Sequence, residues 1–347
     1  MLKKIRFAVM KKIILLSAIG SFLGLLNSCS TDFDIVAPYK EVIVVNGLIN
    51  PLDSVHYVHV GKIFLGEGDV YTMAQQADSV NYADILDVKM ERLVSKNVVE
   101  TFILDRTTEI AKDSGVFAYP FQVIYKTIHP ILMDGSEYRL VVTNRETGVT
   151  ATSTTKILKD LTVTSPSPLL NDTVDWATAP DNPYFVNYTP SNPATSVFLH
   201  DMIIRLHYRE IDPSGVSNDN SFDWHFNAQS PGTNPIKFRL YKNDFFKACG
   251  DNIPVRPGYT IRLDTLENGR FPIEIICIEA PEDLVTYYQL QNSQPGIVLD
   301  KPNFSTVENG LGLFSNRLMH SEFLFPDQET QAAFDTSIYT RDLNFEF

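Results

Sequence analysis

Between Glu41 and Leu158 the chain divides into short runs rich in Val, Ile, Thr, Tyr and Phe, separated by turn residues. The runs are Glu41–Ile49, His56–Phe64, Asp87–Leu93, Val98–Asp105, Phe117–Thr127, Glu137–Thr143 and Val149–Ile157. β-branched and aromatic residues suit a pleated, half-buried surface, and runs this short are strands rather than helices. Asn50-Pro51-Leu52-Asp53, Met133-Asp134-Gly135-Ser136 and Arg145-Glu146-Thr147-Gly148 supply turns between them. Strands at this spacing predict an immunoglobulin-like or fibronectin-like β-sandwich over residues 41–160. One insertion, Gly66–Ala83, interrupts the series, and Met73, Ala74 and Ala77 in it predict a helical turn.

Residues 161–195 are dense in Pro, Asn, Asp and Ser and predict a connecting segment. Trp176, Tyr184, Phe185 and Tyr188 would be out of place in a free linker, so they are expected to pin it to a domain face. Residues 196–347 predict a second β-rich domain with short helices. Phe198–Ile211 alternates, with Ile204, Leu206 and Tyr208 on one face. Phe222–Asn227 and Ile236–Leu240 follow as strands, and Tyr259–Leu266 with Arg270–Glu279 predict a hairpin turned at Glu267-Asn268-Gly269. Asn243–Cys249 predicts a short helix capped by Asn243 and ended by Gly250. Pro281–Asn292 predicts a second, with Pro281, Glu282 and Asp283 in its first turn and Leu284, Tyr287, Tyr288 and Gln291 at helical spacing. The class is therefore mainly β.

The first 28 residues have a different character. Lys3, Lys4, Arg6, Lys11 and Lys12 precede an apolar stretch from Ile13 to Leu26. That order fits a secretory signal, and a stretch this length is short for a membrane-spanning helix, which needs about 20 residues. It ends in Leu26-Asn27-Ser28-Cys29, which resembles the lipobox of bacterial lipoproteins, although Asn27 departs from the usual pattern. The resemblance implies cleavage before Cys29 and lipid attachment to it, leaving residues 29–40 as a tether. Asp32 and Asp34 resemble the surface-export signal of Bacteroidota lipoproteins.

Five basic residues and no acidic ones precede Cys29, so the formal charge of −13 becomes −18 after cleavage. Nucleic acid, which requires a basic footprint, is excluded as a partner class, and attraction to anionic lipid is disfavoured. Cys249 and Cys277 remain. An exported protein can bridge them, but Cys277 shares a strand face with Ile273 and Ile275, where a buried free thiol is the default.

Val44-Val45-Asn46-Gly47-Leu48-Ile49, Gly135-Ser136-Glu137-Tyr138-Arg139-Leu140-Val141-Val142 and Ser305-Thr306-Val307-Glu308-Asn309-Gly310-Leu311-Gly312-Leu313-Phe314-Ser315 together resemble the Bacteroidota lipoprotein family called domain of unknown function 4249. The resemblance covers most of the mature chain, with Phe64-Leu65-Gly66-Glu67-Gly68 fitting less well. It implies a lipid-anchored outer-membrane protein, exposed on the cell surface or on the periplasmic face, that associates with a TonB-dependent receptor or another envelope protein. It brings no catalytic residues.

No catalytic residue, metal site or cofactor is indicated by the residues themselves. His56 and His59 fall on opposite faces of one strand, as do His200 and His207, which argues against paired metal ligation. The oxygen-rich stretch Asp212–Asp223 lacks calcium-loop spacing and reads as a solvated hairpin tip. The local candidate for a ligand or partner loop is Glu308, Asn309, Gly310, Leu311, Gly312 and Phe314. Its competing reading is a tight turn inserting Leu311, Leu313 and Phe314 into the core. Three functions stay open: a non-enzymatic accessory or binding lipoprotein, a surface hydrolase of glycan or peptide, and a structural envelope component.

Overall fold

The computed structural model describes residues 41–63, 69–128, 132–167, 173–177, 182–191, 197–229, 235–264, 269–292 and 304–347. Cys29, the tether and the signal segment lie outside them, as do Phe64–Gly68. With 48 % strand against 15 % helix, the protein is mainly β.

Two sheets build the first module. One contains β1 (Ile43–Ile49), β2 (Val55–Lys62), β5 (Asp105–Thr107), β6 (Ile124–Ile128) and β17 (Gly310–Asn316), in the order β17-β1-β2-β6-β5. The other contains β3 (Leu86–Val94), β4 (Asn97–Ile103), β7 (Glu137–Asn144) and β8 (Thr150–Lys156), in the order β4-β3-β7-β8 and antiparallel throughout. Alternation selects which residues go inward. Ile43, Val45 and Ile49 of β1 meet Leu86, Val88 and Met90 of β3 and Tyr138, Leu140 and Val142 of β7 in one apolar cluster. Gly47 takes the remaining inward position of β1 because a Cβ there would come within 2.8 Å of the Phe314 ring. Two short helices, α1 (Val70–Ala74) and α2 (Ala77–Val80), follow β2, and Asp69 caps α1 by accepting from Thr72 N–H.

The second module is centred on a seven-stranded sheet of β10 (Thr173–Val174), β12 (Leu199–Ile211), β13 (Ser217–His225), β15 (Thr260–Arg262), β16 (Ile273–Ala280), β18 (Leu318–Pro326) and β19 (Phe345–Glu346). A three-stranded sheet of β9 (Thr162–Ser165), β11 (Pro183–Thr189) and β14 (Ile236–Tyr241) shares its core. Three helices belong here: α3 (Lys242–Asn252), α4 (Glu282–Asn292) and α5 (Gln328–Thr336). Trp176, Phe245, Phe246, Phe334 and Phe345 pack in tilted and edge-to-face pairs at centroid separations of 4.2 to 5.9 Å, so aromatic packing joins α3, α5 and β19. Cys249 and Cys277, the cysteines among the described residues, are buried and free.

Several expectations need correction. The segment Glu308–Phe314 is not a loop of the second domain. Gly310–Asn316 runs parallel to β1, with Val44 opposite Leu311 and Gly47 opposite Phe314, and so completes the first module. Within it Phe314 is fully buried and Leu313 nearly so, while Leu311 is only partly covered. Residues 161–195 are more than a connector: β9 and β11 pair there, and Trp176, Val186 and Tyr188 enter the second core. The expected strand Phe117–Thr127 begins only at Ile124. β15 and β16 do not pair as a hairpin. They lie in succession along one side of β12, whose length of 13 residues accommodates both. Gly250 does not end its helix, which runs on to Asn252. Glycine is needed there because the Tyr339 carbonyl would lie 2.4 Å from a Cβ. Asn243 is not the cap, since the residue before the helix is Tyr241.

The described residues from 41 onward belong to one compact unit. Leu48 and Leu313 from the outer side of β1 and β17 pack with Ala280, Leu284 and Leu199 of the second module. Asn316 is buried and fully engaged: its Oδ1 accepts from Leu158 N–H at 3.0 Å, and its Nδ2 donates to Thr155 Oγ1 and the Lys156 carbonyl. A polar side chain can be buried here because each of its groups has a partner.

Candidate functional site

A cleft of about 670 Å³ opens in the first module where the chain changes sheets. β4 pairs with β3 only as far back as Lys89, and the chain then leaves for β5 through Leu104, whose N–H donates to the Val88 carbonyl. The start of β3 is thus left without a strand on that side. Alternate carbonyls of a strand point the same way, so those of Leu86 and Asp84 face the gap alongside that of Val88. Arg145 donates to both, standing in for the missing strand. Asp87 and Asp84 neutralise it at 2.8 and 3.5 Å.

Arg106 of β5 and Tyr125 of β6 are cross-strand neighbours and line the same cleft. Arg106 is exposed and forms no ion pair among the described residues. Tyr125 is buried, and the Arg106 guanidinium across the strand pair is its hydrogen-bonding neighbour. Burial raises the Tyr125 pKa; the nearby Arg106 charge opposes that rise and Asp84 adds to it. Asp105 and Lys89 also line it. The cleft therefore offers an exposed guanidinium beside a buried phenol, with the carboxylates of Asp84, Asp87 and Asp105 around them, a set suited to holding a small polar ligand or a partner's side chain.

Three further polar groupings belong to the second module. On the partly covered face of its large sheet, Arg205 makes a two-pronged contact with Asp223 at 2.6 and 2.9 Å. Glu274 lies between His207 Nε2 at 2.8 Å and Ser321 Oγ at 2.7 Å. Burial pushes the Glu274 carboxyl up, but the hydrogen bonds from His207 and Ser321 and the charge of Arg205 outweigh it and hold the pKa below its usual value. The order of these groups matters. Activating a serine requires a base between it and the acid, whereas here the carboxylate occupies the middle. The grouping is built as a charge ladder across β12, β16 and β18.

On the core side, Tyr188 OH lies 3.0 Å from His200 Nδ1, which lies 3.3 Å from Glu279 Oε1. Glu279 also accepts from Ser191 N–H. All four residues are buried, so this network faces packed protein rather than substrate. His320 forms a third grouping: its Nδ1 meets Asp160 at 2.8 Å and its Nε2 meets Glu322 at 2.9 Å. Hydrogen bonds to Asp160 and then Glu322 raise its pKa to about 9, against the opposing effect of burial.

Of the residues singled out by sequence, Glu308 forms an isolated bridge to Thr152, and Asn309 adopts a positive φ of 55° as the turn into β17. Gly310 and Gly312 are required by close approach: a Cβ would fall 2.6 Å from the Ile43 carbonyl oxygen and 2.0 Å from that of Val45, respectively. Leu311 and Phe314 sit in the strand, so these residues form a structural seam. His56 and His59 do face opposite sides of β2, and His200 and His207 opposite sides of β12. Asp212 spends its carboxylate on the hairpin turn, accepting from Ser214 and Val216 N–H. Arg106 and Tyr125 were not singled out, and Arg145 only as a turn residue, because nothing in their local sequence marks the sheet change at Leu104. No known family description matches this chain, and no curated protein is significantly similar to it.

Proposed function

We propose that this chain is a non-enzymatic, lipid-anchored envelope protein that serves as an accessory or binding component beside an outer-membrane receptor of the TonB-dependent type. The observation that carries the reading is Leu26-Asn27-Ser28-Cys29, closing a basic and then apolar leader just ahead of β1. Lipid on Cys29 would hold the acidic body at a membrane surface, and Asp32 and Asp34 fit export to the outer face. We read the segments that resemble the family named domain of unknown function 4249 in the same sense. Two of those three segments are partners in the fold, since β1 and β17 pair residue by residue. We also read the first module, with two sheets around one core, as an immunoglobulin-like sandwich.

Within this reading, the cleft at Leu104 is where a ligand or a receptor side chain enters, with Arg106 as its exposed cation. Labelling cells with radioactive fatty acid tests the anchor. The native protein should carry label and sediment with membranes, while Cys29→Ala should carry none and appear in the soluble fraction. Label on Cys29→Ala, or its continued sedimentation, would overturn the assignment. A pulldown from solubilised envelopes tests the partner, and consistent recovery of no envelope protein would count against an accessory role.

A further inference from the structure

Val70, Tyr71, Val116, Phe117, Tyr119 and Phe121 are each between 47 % and 68 % exposed. Lone exposed apolar residues are ordinary, but a cluster of this size marks a contact surface. These six come from α1 and from the segment ahead of β6, which the backbone ties together. Ala118 N–H donates to the Ala74 carbonyl at 2.8 Å, and Lys112 N–H donates to that of Pro120 at 2.8 Å. The Lys112 ammonium lies 4.9 Å from the Phe117 ring centroid, so the cluster also carries a cation beside its aromatic rings.

The position of this cluster points to its occupant. The chain enters the first module at Glu41, whose carboxylate accepts from Tyr82 OH at 3.0 Å. Val42 then accepts from Ile63 N–H, and Asn81, at the end of α2, bridges Gly61 and accepts from Val123 N–H. Entry point, α1, α2 and the Phe117–Phe121 segment therefore share one end of the first sheet. Residues 30–40 span at most about 40 Å even when fully extended. A body tethered through Cys29 consequently keeps this end near the bilayer.

We propose that the aromatic cluster rests on the lipid–water interface of the membrane that holds the anchor. The proposal depends on the lipid-anchor reading above. Tyr and Phe rings suit that boundary, where one side is apolar and the other wet. The strongly acidic body gives no attraction to anionic headgroups, so the contact is an apolar one that a zwitterionic bilayer can supply.

The test uses the mature chain lipidated on Cys29, reconstituted into phosphatidylcholine vesicles with brominated acyl chains. Tyr119→Trp places a reporter in the cluster. Ile128→Trp is the control: Ile128 is 73 % exposed and pairs with Val55, at the far end of β2 from Lys62. The native Trp176 and Trp224 contribute equally to both variants. Tyr119→Trp emission should lose intensity and shift to the blue, with Ile128→Trp unchanged. Vesicle-bound protein in which both reporters are unquenched would overturn the lipid contact while leaving the anchor intact, and would reassign the cluster to a protein partner. Equal quenching of both would also overturn it, since no end of the module would then be preferred. Absence of lipid mass on Cys29 would remove the anchor reading and this proposal with it.

Discussion

Deprotonating His320 should release a clip between the chain segment leaving the first module and β18. Asp160 and Glu322 each accept from one ring nitrogen, which requires the doubly protonated imidazolium. The pKa stands at about 9 in the folded chain against 6.5 for a free histidine. At about 1.4 kcal/mol per unit, the ceiling on the stabilisation is about 3.4 kcal/mol. Asp160 is 41 % exposed, so solvent screening reduces this to about 1–2 kcal/mol. The folded pKa is raised, so the stabilisation is complete below pH 6.5 and is lost as pH rises through about 9. Urea unfolding of the native chain and His320→Gln, run from about pH 6 to about pH 10, isolates this histidine because other titrations largely cancel in the difference. The native advantage should be greatest at the acid end and shrink with rising pH. A difference that stays flat, or grows with pH, would refute the clip. So would an NMR titration of the His320 ring with a midpoint near 6.5.

Phe314→Ala should destabilise the first module by about 3–5 kcal/mol in chemical denaturation, because it empties a buried ring position opposite Gly47. Gly312→Ala should cost more than about 2 kcal/mol, since its φ of +106° and the Val45 carbonyl leave no room for a methyl group; a near-neutral unfolding midpoint would contradict the β1–β17 seam. Cys249 and Cys277 should resist a thiol reagent in the folded protein and react only on unfolding, because burial holds both thiols well above their ordinary pKa. Rapid modification under native conditions would show that these positions open.

Much of the first module could be read locally. β2, β3, β7 and β8 announce themselves through alternation and turn chemistry, and α1 and α2 appear where Met73, Ala74 and Ala77 suggest a helical turn. The candidate cleft could not be read. It depends on Leu104 bonding Val88 while the next residues join the other sheet, and neither sheet's pairing is written in the run Val98–Thr107. Arg106 and Arg145 look like ordinary surface cations until that crossing places them beside an open strand edge. His320 is similar: Glu322 is a near neighbour in sequence, but Asp160 arrives only through folding.

The sequence by itself determined that the protein is mainly β, that Ile204, Leu206 and Tyr208 share one strand face, and that Cys277 lies among apolar neighbours. These follow from side-chain type and a period of two, both local properties. Tertiary structure alone decided partnership. Gly310–Asn316 looks like a glycine-rich loop because its glycines are explained only by the backbone of β1 lying against it. Backbone hydrogen bonding is the same for every residue, so a strand's own sequence does not name its neighbour. That choice came from Phe314 filling the space left by Gly47, across more than 260 residues of chain.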